Sequence, residues 1–400
     1  MSPARPREVT LQEALLLAQS NNKLLEAARI RVEEARGDLT TASILLIDNP
    51  EVGLVAGPRR SDVPGAEDST DVGVGLEQRF EIAGQRRHRI RKSEANLAAA
   101  GAAAAEVGRV VELAAATAFW QALAADRYVS LLEDSRSLAS DLYETSRLRL
   151  EHGEATPLAL NTARVRLAEA ERRLASAKAQ RTSAALRLAE VMALPLSDAL
   201  VVKGSFPEAR ATESEEALVA RALATRPDLS TRDHQVVAAE EDAGLASAEA
   251  WPDLTLGVSY EEEEDDRITL AGLTIPLPLF RRNQGERQRT QAVVRRLNAE
   301  RDAVRLAIES EVRRTHADYQ QARQSVHLYD TEVLQALEES LGLLQKALEA
   351  GEVGLPEVIL VQREVLDGRE GYLSAKLDLA LAHARLQAAT QQSQTNTEQE

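Results

Sequence analysis

The sequence predicts a mainly α chain with a small β part, built twice over. Three observations carry this. Ala, Leu and Arg dominate a chain of 400 residues with only 3% aromatics, which is the composition of long helices. Apolar residues step by three, four or seven through very long stretches, as in Val304, Ile308, Val312, Tyr319, Ala322 and Val326; one apolar helix face gives that spacing. The second half also repeats motifs of the first. Leu150-Glu151-His152-Gly153-Glu154 recurs as Leu348-Glu349-Ala350-Gly351-Glu352, an offset of 198. The same offset maps Ser176-Ala177-Lys178 onto Ser374-Ala375-Lys376 and Arg187-Leu188 onto Arg385-Leu386. Ungapped matches at one offset mark a duplication.

Each repeat has one order of elements. The first covers residues 1–200 and opens on a helix over about 10–47. Pro50 ends it, because proline cannot continue a helix. A β-hairpin follows over 51–80, then a long helix over 86–150, a Gly-containing turn, and a return helix over 157–193. Residues 201–212 read as a linker, with Gly204 and Pro207 as breakers. The second repeat, 213–392, has a helix over 213–250, Pro252, a hairpin over 253–280, a long helix over 286–349 and a return helix over 356–391. Residues 393–400 read as a disordered tail. Gly84-Gln85-Arg86 lies roughly opposite Gly285-Glu286-Arg287.

The long helices cannot wrap a compact core. At ~1.5 Å per residue, the second would span roughly 95 Å. Its narrow apolar stripe asks for neighbours of similar length, as in coiled coils.

The β segments alternate. Val72, Val74 and Leu76 interleave with Gly73 and Gly75; Leu256, Val258 and Tyr260 interleave with Gly257 and Ser259; Leu273 and Ile275 flank Thr274. The expected pairs are 51–57 with 71–80 and 254–261 with 267–279. Two-sided alternation suits a half-buried soluble sheet or the wall of an outer-membrane barrel. Pro276 and Pro278 mark the end of the last strand or a place where ladder donors are missing. Four strands cannot close a membrane barrel, since the smallest have ~8, so several chains would have to share one. The acid run Glu261 to Asp266 reads as a solvated loop or as a cation-attracting mouth.

Several functions are excluded. A net charge of −16 argues against nucleic acid. The absence of Cys removes disulfides, thiol nucleophiles, Cys metal sites and a lipid on an N-terminal Cys. The six His residues show no i, i+4 pair and no HExxH. No P-loop, GxGxxG or Ser–His–Asp set appears, so neither an enzyme nor a cofactor is expected. The first residues are basic and Pro-rich without an apolar core behind them, so the chain is expected to be cytoplasmic or to have had its signal removed or left out. No stretch approaches the ~18 apolar residues of a spanning helix, so any membrane contact must come from a barrel.

Helix, hairpin, very long helix, Gly turn and return helix, all duplicated, resemble the TolC-like outer-membrane efflux channel family. The two Leu-Glu-x-Gly-Glu turns (150–154 and 348–352), the hairpins and the junction from Glu77 to Arg87 carry the likeness. The junction is most similar to the branch that serves cobalt–zinc–cadmium type cation pumps. The resemblance implies a homotrimer, each chain giving four strands to one barrel in outer-membrane lipid, with the helices forming a coiled-coil periplasmic tube. It implies a passive exit duct for metal cations or other substrates. Its partners would be a periplasmic adaptor and an inner-membrane pump of the resistance-nodulation-division type. Val72, Val74, Leu76, Leu256, Val258, Tyr260, Leu273 and Ile275 would be barrel-strand residues.

The resemblance also places sites. Leu150, Gly153, Glu154 and Thr156, with Leu348, Gly351 and Glu352, would form tips that dock the adaptor. Helix-hairpin chemistry alone explains the same residues: a glycine with φ > 0 ends one helix, and Thr156 with Pro157 starts the next, as Pro356 does in the second half. Glu357 would narrow the tube as a ring of carboxylates; the alternative is an acid favoured by the helix dipole in a first turn. Its counterpart in the first repeat is Ala159. The family pattern is broken by a short first strand, few aromatic girdle candidates (Phe80, Tyr260, Phe280) and the missing Cys anchor. Two other functions remain open at this point: a soluble coiled-coil scaffold, and an outer-membrane duct for secreted protein.

Overall fold

A computed structural model describes residues 7–59, 69–196, 200–263, 266–329, 336, 339–340, 342–344, 346–348, 350 and 352–391. The expected tail at 393–400, Gly351 and part of the long helix expected over 286–349 therefore lie outside the described residues. The chain divides into two units. One holds the described residues of Met1–Ala27, Ala105–Arg226 and Leu306–Glu400; the other holds Ala28–Ala104 and Pro227–Arg305. Both draw on both repeats.

The first unit is helical with one small sheet. Strand β1 (Arg7–Val9) leads into α1 (Leu11–Asn21), which is started by a complete capping box between Thr10 and Glu13. Helix α2 (Lys23–Ser43) begins here. The helix expected over 10–47 is thus two helices. The break is at Asn22, whose backbone is extended and whose side chain accepts from the Leu24 N–H (2.9 Å). Helix α3 (Gln85–Glu151) runs unbroken for 67 residues, and α4 (Pro157–Val191) returns.

The expected linker opens on a strand, β4 (Leu200–Val202), which pairs in parallel with β1. The β-branched Val201 and Val202 favour it, and Val202 is buried beside Val9. The rest of the linker is fastened too. Phe206 stacks on Trp120 at 5.9 Å, and the Tyr319 hydroxyl donates to the Arg210 carbonyl (2.9 Å).

Helix α5 (Glu215–Thr225) ends at Arg226, and α6 (Pro227–Ala248) follows. The second repeat therefore carries the same break as the first. The proline forces an extended residue before it, and the buried Arg226 guanidinium meets Glu311 at 2.7 Å. After α7 (Gln284–Leu328) the described residues between 336 and 348 are helical, and α8 (Leu355–Ala389) closes the chain.

The core of this unit is built from small residues. Val9, Ala14, Ala18, Val111, Ala115 and Ala116 surround Phe119, Trp120 and Leu123. Leu188, Met192, Ala380 and Ala384 close it from α4 and α8. With few aromatics in the chain, Ala lets the helices approach closely, and a few large side chains fill the centre. Glu112, at the edge of this cluster, is held above the ordinary carboxylate range by burial, against a hydrogen bond from the Gln19 amide.

The second unit holds a four-stranded antiparallel sheet in the order β2 (Glu51–Arg59), β3 (Ser69–Phe80), β5 (Leu254–Glu263), β6 (Asp266–Thr274). The first strand has nine residues, longer than its sequence promised. It continues through Pro58, which an edge strand tolerates. The last strand is shorter: it stops at Thr274, so Ile275, read as a strand residue, lies outside it. Pro276 explains this, since it restricts the residue before it and donates nothing to a ladder.

Both long helices leave the sheet through one device. Gly84 (φ +83°) precedes α3 and Asn283 (φ +53°) precedes α7. Gln85 accepts from the Ala83 N–H (2.8 Å), and Gln284 accepts from the Arg282 N–H (2.7 Å). Gly84 is therefore matched by Asn283, not by Gly285 as the motif spacing suggested. Asparagine is among the few residues besides glycine that enter this region readily.

Candidate functional site

The sheet has two chemically distinct faces. Register places Val52 opposite Leu76, Leu54 opposite Val74, Leu76 opposite Val258, Val74 opposite Tyr260 and Leu256 opposite Leu273. The expected strand residues Val72, Val74, Leu76, Leu256, Val258, Tyr260 and Leu273 therefore share one face. They are exposed there; Leu54 reaches 79%. An exposed apolar face of this size marks a contact with lipid or protein.

The other face carries Glu51, Gly53, Asp71, Gly73, Gly75, Glu77, Gly257, Ser259 and Glu261. Here the acid side chains lie over glycines. The Glu261 Cγ is 3.0 Å from where a Cβ at position 73 would stand, and the Glu77 Cγ 3.4 Å from one at position 257. This role of the glycines was missed from the sequence, although their alternation with Val72 and Val74 signalled it. The pattern has exceptions: Val55, Ile268 and Leu270 stand on the acidic face, and Glu262 and Arg267 stand on the apolar one. Strands β2 and β6 are the edges, so each has one ladder unpaired among the described residues.

The described part of the acid run is divided. Glu261 and Glu262 belong to β5 and pair across the sheet with Ile268 and Arg267. Residues 264–265, and residues 60–68 of the expected first turn, lie outside the described residues.

The helix turns form a second feature, in the first unit. Gly153 adopts φ +75°. Its N–H donates to the Leu150 carbonyl (3.0 Å), and the Glu154 N–H donates to the Arg149 carbonyl (2.8 Å). Those two bonds define a Schellman end. The Thr156 hydroxyl then accepts from the Ala159 N–H (3.3 Å), with Pro157 in the first helical turn.

In the second repeat the Glu352 N–H donates to the Ala347 carbonyl (2.8 Å), the same long bond. Helix α8 differs at its start. Its N-cap is Gly354, without a side-chain cap, and Leu355 precedes Pro356, so Pro356 is not the first helical residue. A cluster of Leu142, Ala163, Leu348, Val358 and Ile359 joins the helices of both turns. Leu348 is buried and Leu150 half-buried, while Gly153, Glu154, Thr156 and Glu352 are exposed. The structure thus brings the two turns to one hydrophobic cluster with their carboxylates outward.

Glu357 is exposed in the first turn of α8. Its Oε2 lies 2.8 Å from where a Cβ on Gly354 would stand, so the carboxylate folds back over the helix start. That position suits an N-terminal acid. It leaves the charge at the surface, able to face a partner or a lumen.

Among the described residues no helix is long and apolar enough to cross a membrane, and no group of His, Asp and Glu is arranged to hold a metal ion.

A duplicated order of helices and hairpins, with an open-edged sheet apolar on one face and acidic on the other, defines the outer-membrane duct class of protein. The chain belongs to the outer membrane efflux protein family, whose profile matches residues 14–194 and 218–391, one segment in each repeat. Its place is the outer membrane, where it is an exit duct. It is 25% identical over 382 residues to the cobalt-zinc-cadmium resistance protein CzcC of Cupriavidus metallidurans, covering 93% of this chain and 88% of that protein. It is 24% identical over 403 residues to the pyoverdine export outer membrane protein OpmQ of Pseudomonas aeruginosa, covering 95% and 82%. Its fold matches the crystal structure of CusC with a TM-score of 0.79 at 18% identity, over 95% of this chain and 91% of that one.

Proposed function

We propose that three copies of this chain close one barrel and pass metal cations outward from an inner-membrane pump through a periplasmic adaptor. The observation that carries this is the two-faced sheet with both edges free. Four strands fall short of the ~8 in the smallest membrane barrels, and an open ladder in lipid is untenable because unpaired backbone groups there go unsatisfied. Strand β6 of one copy meeting β2 of the next keeps the antiparallel order and leaves no edge. The apolar face then meets lipid, and the face with Glu51, Asp71, Glu77 and Glu261 lines the lumen. The likeness to CzcC, with the acidic lumen face, favours cations as cargo. The chain performs no chemical step; the pump selects and drives.

Particle mass in detergent and conductance in planar bilayers test this together. Trimers that open ion-conducting pores are expected. A single chain that leaves bilayers silent would falsify the duct.

The turns at 150–154 and 348–352 are proposed as the adaptor-docking tips. Their outward Glu154 and Glu352, with Gly153, Thr156, Leu150 and Leu348 shaping the turns, support this; Gly351, named with them from the sequence, lies outside the described residues. Charge reversal at both sites (E154K with E352K) is expected to abolish export while trimers persist, since like charges then face the partner. Normal export by the double mutant counts against docking.

Glu357 is proposed as the periplasmic constriction, three carboxylates converging in the trimer. E357Q is expected to lower cation selectivity several-fold, read as a shift of reversal potential in asymmetric salt towards zero. An unchanged potential leaves Glu357 with its helix-start role alone.

A further inference from the structure

The helix-side end of the sheet has chemistry that neither strand face explains. Strand β2 starts there, β3 ends there, β5 starts there and β6 ends there. All four chain crossings at this end expose large apolar residues. They include Leu45 (74%), Ile82 (62%), Trp251 (69%), Leu277 (75%) and Phe280 (88%). Water does not tolerate so concentrated a patch without an occupant. Aromatic rings at a sheet end suit the boundary between hydrocarbon and headgroups.

The charges beside this belt are sorted. Three of the acids beside it are paired. Asp48 and Asp253 meet Arg79 at 2.9 and 3.4 Å, and Glu81 meets Arg89 at 2.6 Å. Arg79 stands on the acidic face of the sheet, in line with Glu77 and Gly75. Three exposed arginines directly beyond the belt have no carboxylate partner among the described residues: Arg87, Arg281 and Arg282. Arg282 does reach the Pro278 carbonyl (3.2 Å), which holds it against the belt. A hydrophobic collar with free guanidinium groups at its rim complements a lipid with apolar chains and an anionic phosphate headgroup. The collar adjoins the end of the sheet whose apolar face is proposed above to meet lipid.

We propose that this collar binds acidic phospholipid of the membrane leaflet nearest the helices, with Arg87, Arg281 and Arg282 holding the headgroup phosphates. The inference rests on the membrane placement of the sheet. Bound lipid would fix the depth of the barrel and join its strands to the helices that leave it.

The test is thermal unfolding of the purified assembly in neutral detergent, titrated with phosphatidylglycerol or phosphatidylcholine. Phosphatidylglycerol is expected to raise the midpoint and phosphatidylcholine, at equal mole fraction, to leave it nearly unchanged. In R87Q/R281Q/R282Q the half-saturating phosphatidylglycerol concentration should rise roughly a hundredfold, about fivefold for each basic group lost near an anionic surface. R87K/R281K/R282K should keep most of the response, which separates charge from folding damage. Equal response to both lipids, or an undiminished response in the glutamine variant, overturns the collar. So does a W251A/F280A variant that falls into single chains with its lipid response intact, which would assign the belt to a neighbouring copy. Failure of the duct itself reads differently: no conductance in neutral-lipid bilayers.

Discussion

Val258→Arg is expected to prevent stable insertion, while Ser259→Arg, one residue along the same strand, is expected to leave assembly intact. Val258 sits between Leu76 and Ala271 on the apolar face; Ser259 sits between Gly75 and Leu270 on the face that carries Glu77 and Glu261. A charged side chain on the lipid face of a membrane barrel costs about 2–4 kcal/mol near the midplane. Three copies incur that cost together, which is enough to lose a marginal assembly. On the other face an arginine meets water and carboxylates. There the expected change is in conduction: positive charge inside the pore lowers cation conductance. The measurement is the trimer yield of each variant in detergent, followed by single-channel current. Equal yields for both would mean that the apolar face does not meet lipid, and the barrel would need another explanation.

Much of this sheet was legible because strand periodicity is simple. Alternation put Val72, Val74, Leu76, Leu256, Val258 and Tyr260 on one face, and register agrees. The end of β6 was harder. Leu273 and Ile275 alternate, yet Pro276 ends the ladder one residue before Ile275. The short sheet of β1 and β4 was invisible, because three-residue strands carry no period and their pairing joins residues about 190 apart. The helix breaks at Asn22 and Arg226 were missed for another reason. The apolar stripe continues across each, so periodicity sees one helix; only the Asn cap and the Arg-Pro step mark the change of backbone. Glu357 was named from likeness. Geometry then adds what the sequence withholds: the carboxylate lies over Gly354, which is the N-cap in place of the Thr156 of the first repeat.

Phe119→Ala should destabilise the helical unit by about 3–5 kcal/mol, the usual cost of emptying a large buried aromatic site. The reason lies in what meets there. Phe119 is 1% exposed and contacts Trp120 edge-on at 5.0 Å. Its Cζ lies 3.6 Å from where a Cβ on Gly204 would stand, so the ring packs on the segment joining the two repeats. The same cluster takes Val9 and Val202 from the parallel strands, Leu188 and Met192 from the first return helix, and Ala380 and Ala384 from the second. Most of those neighbours are alanines or lie on long helices. Neither can move far enough to refill the space, because alanine has no further rotamers and a long helix is held along its length. The cavity should therefore stay open, placing the loss towards the high end of the range. Because the sheet is a separate unit, chemical denaturation followed by Trp120 fluorescence should show the early loss, whereas strand content in detergent should hold until higher denaturant. A Phe119→Leu variant keeps much of the volume and should recover more than half of the stability. If Phe119→Ala unfolds at the same denaturant concentration as the parent chain, the two repeats are not held together at this cluster, and the duplication must be joined by its long helices alone.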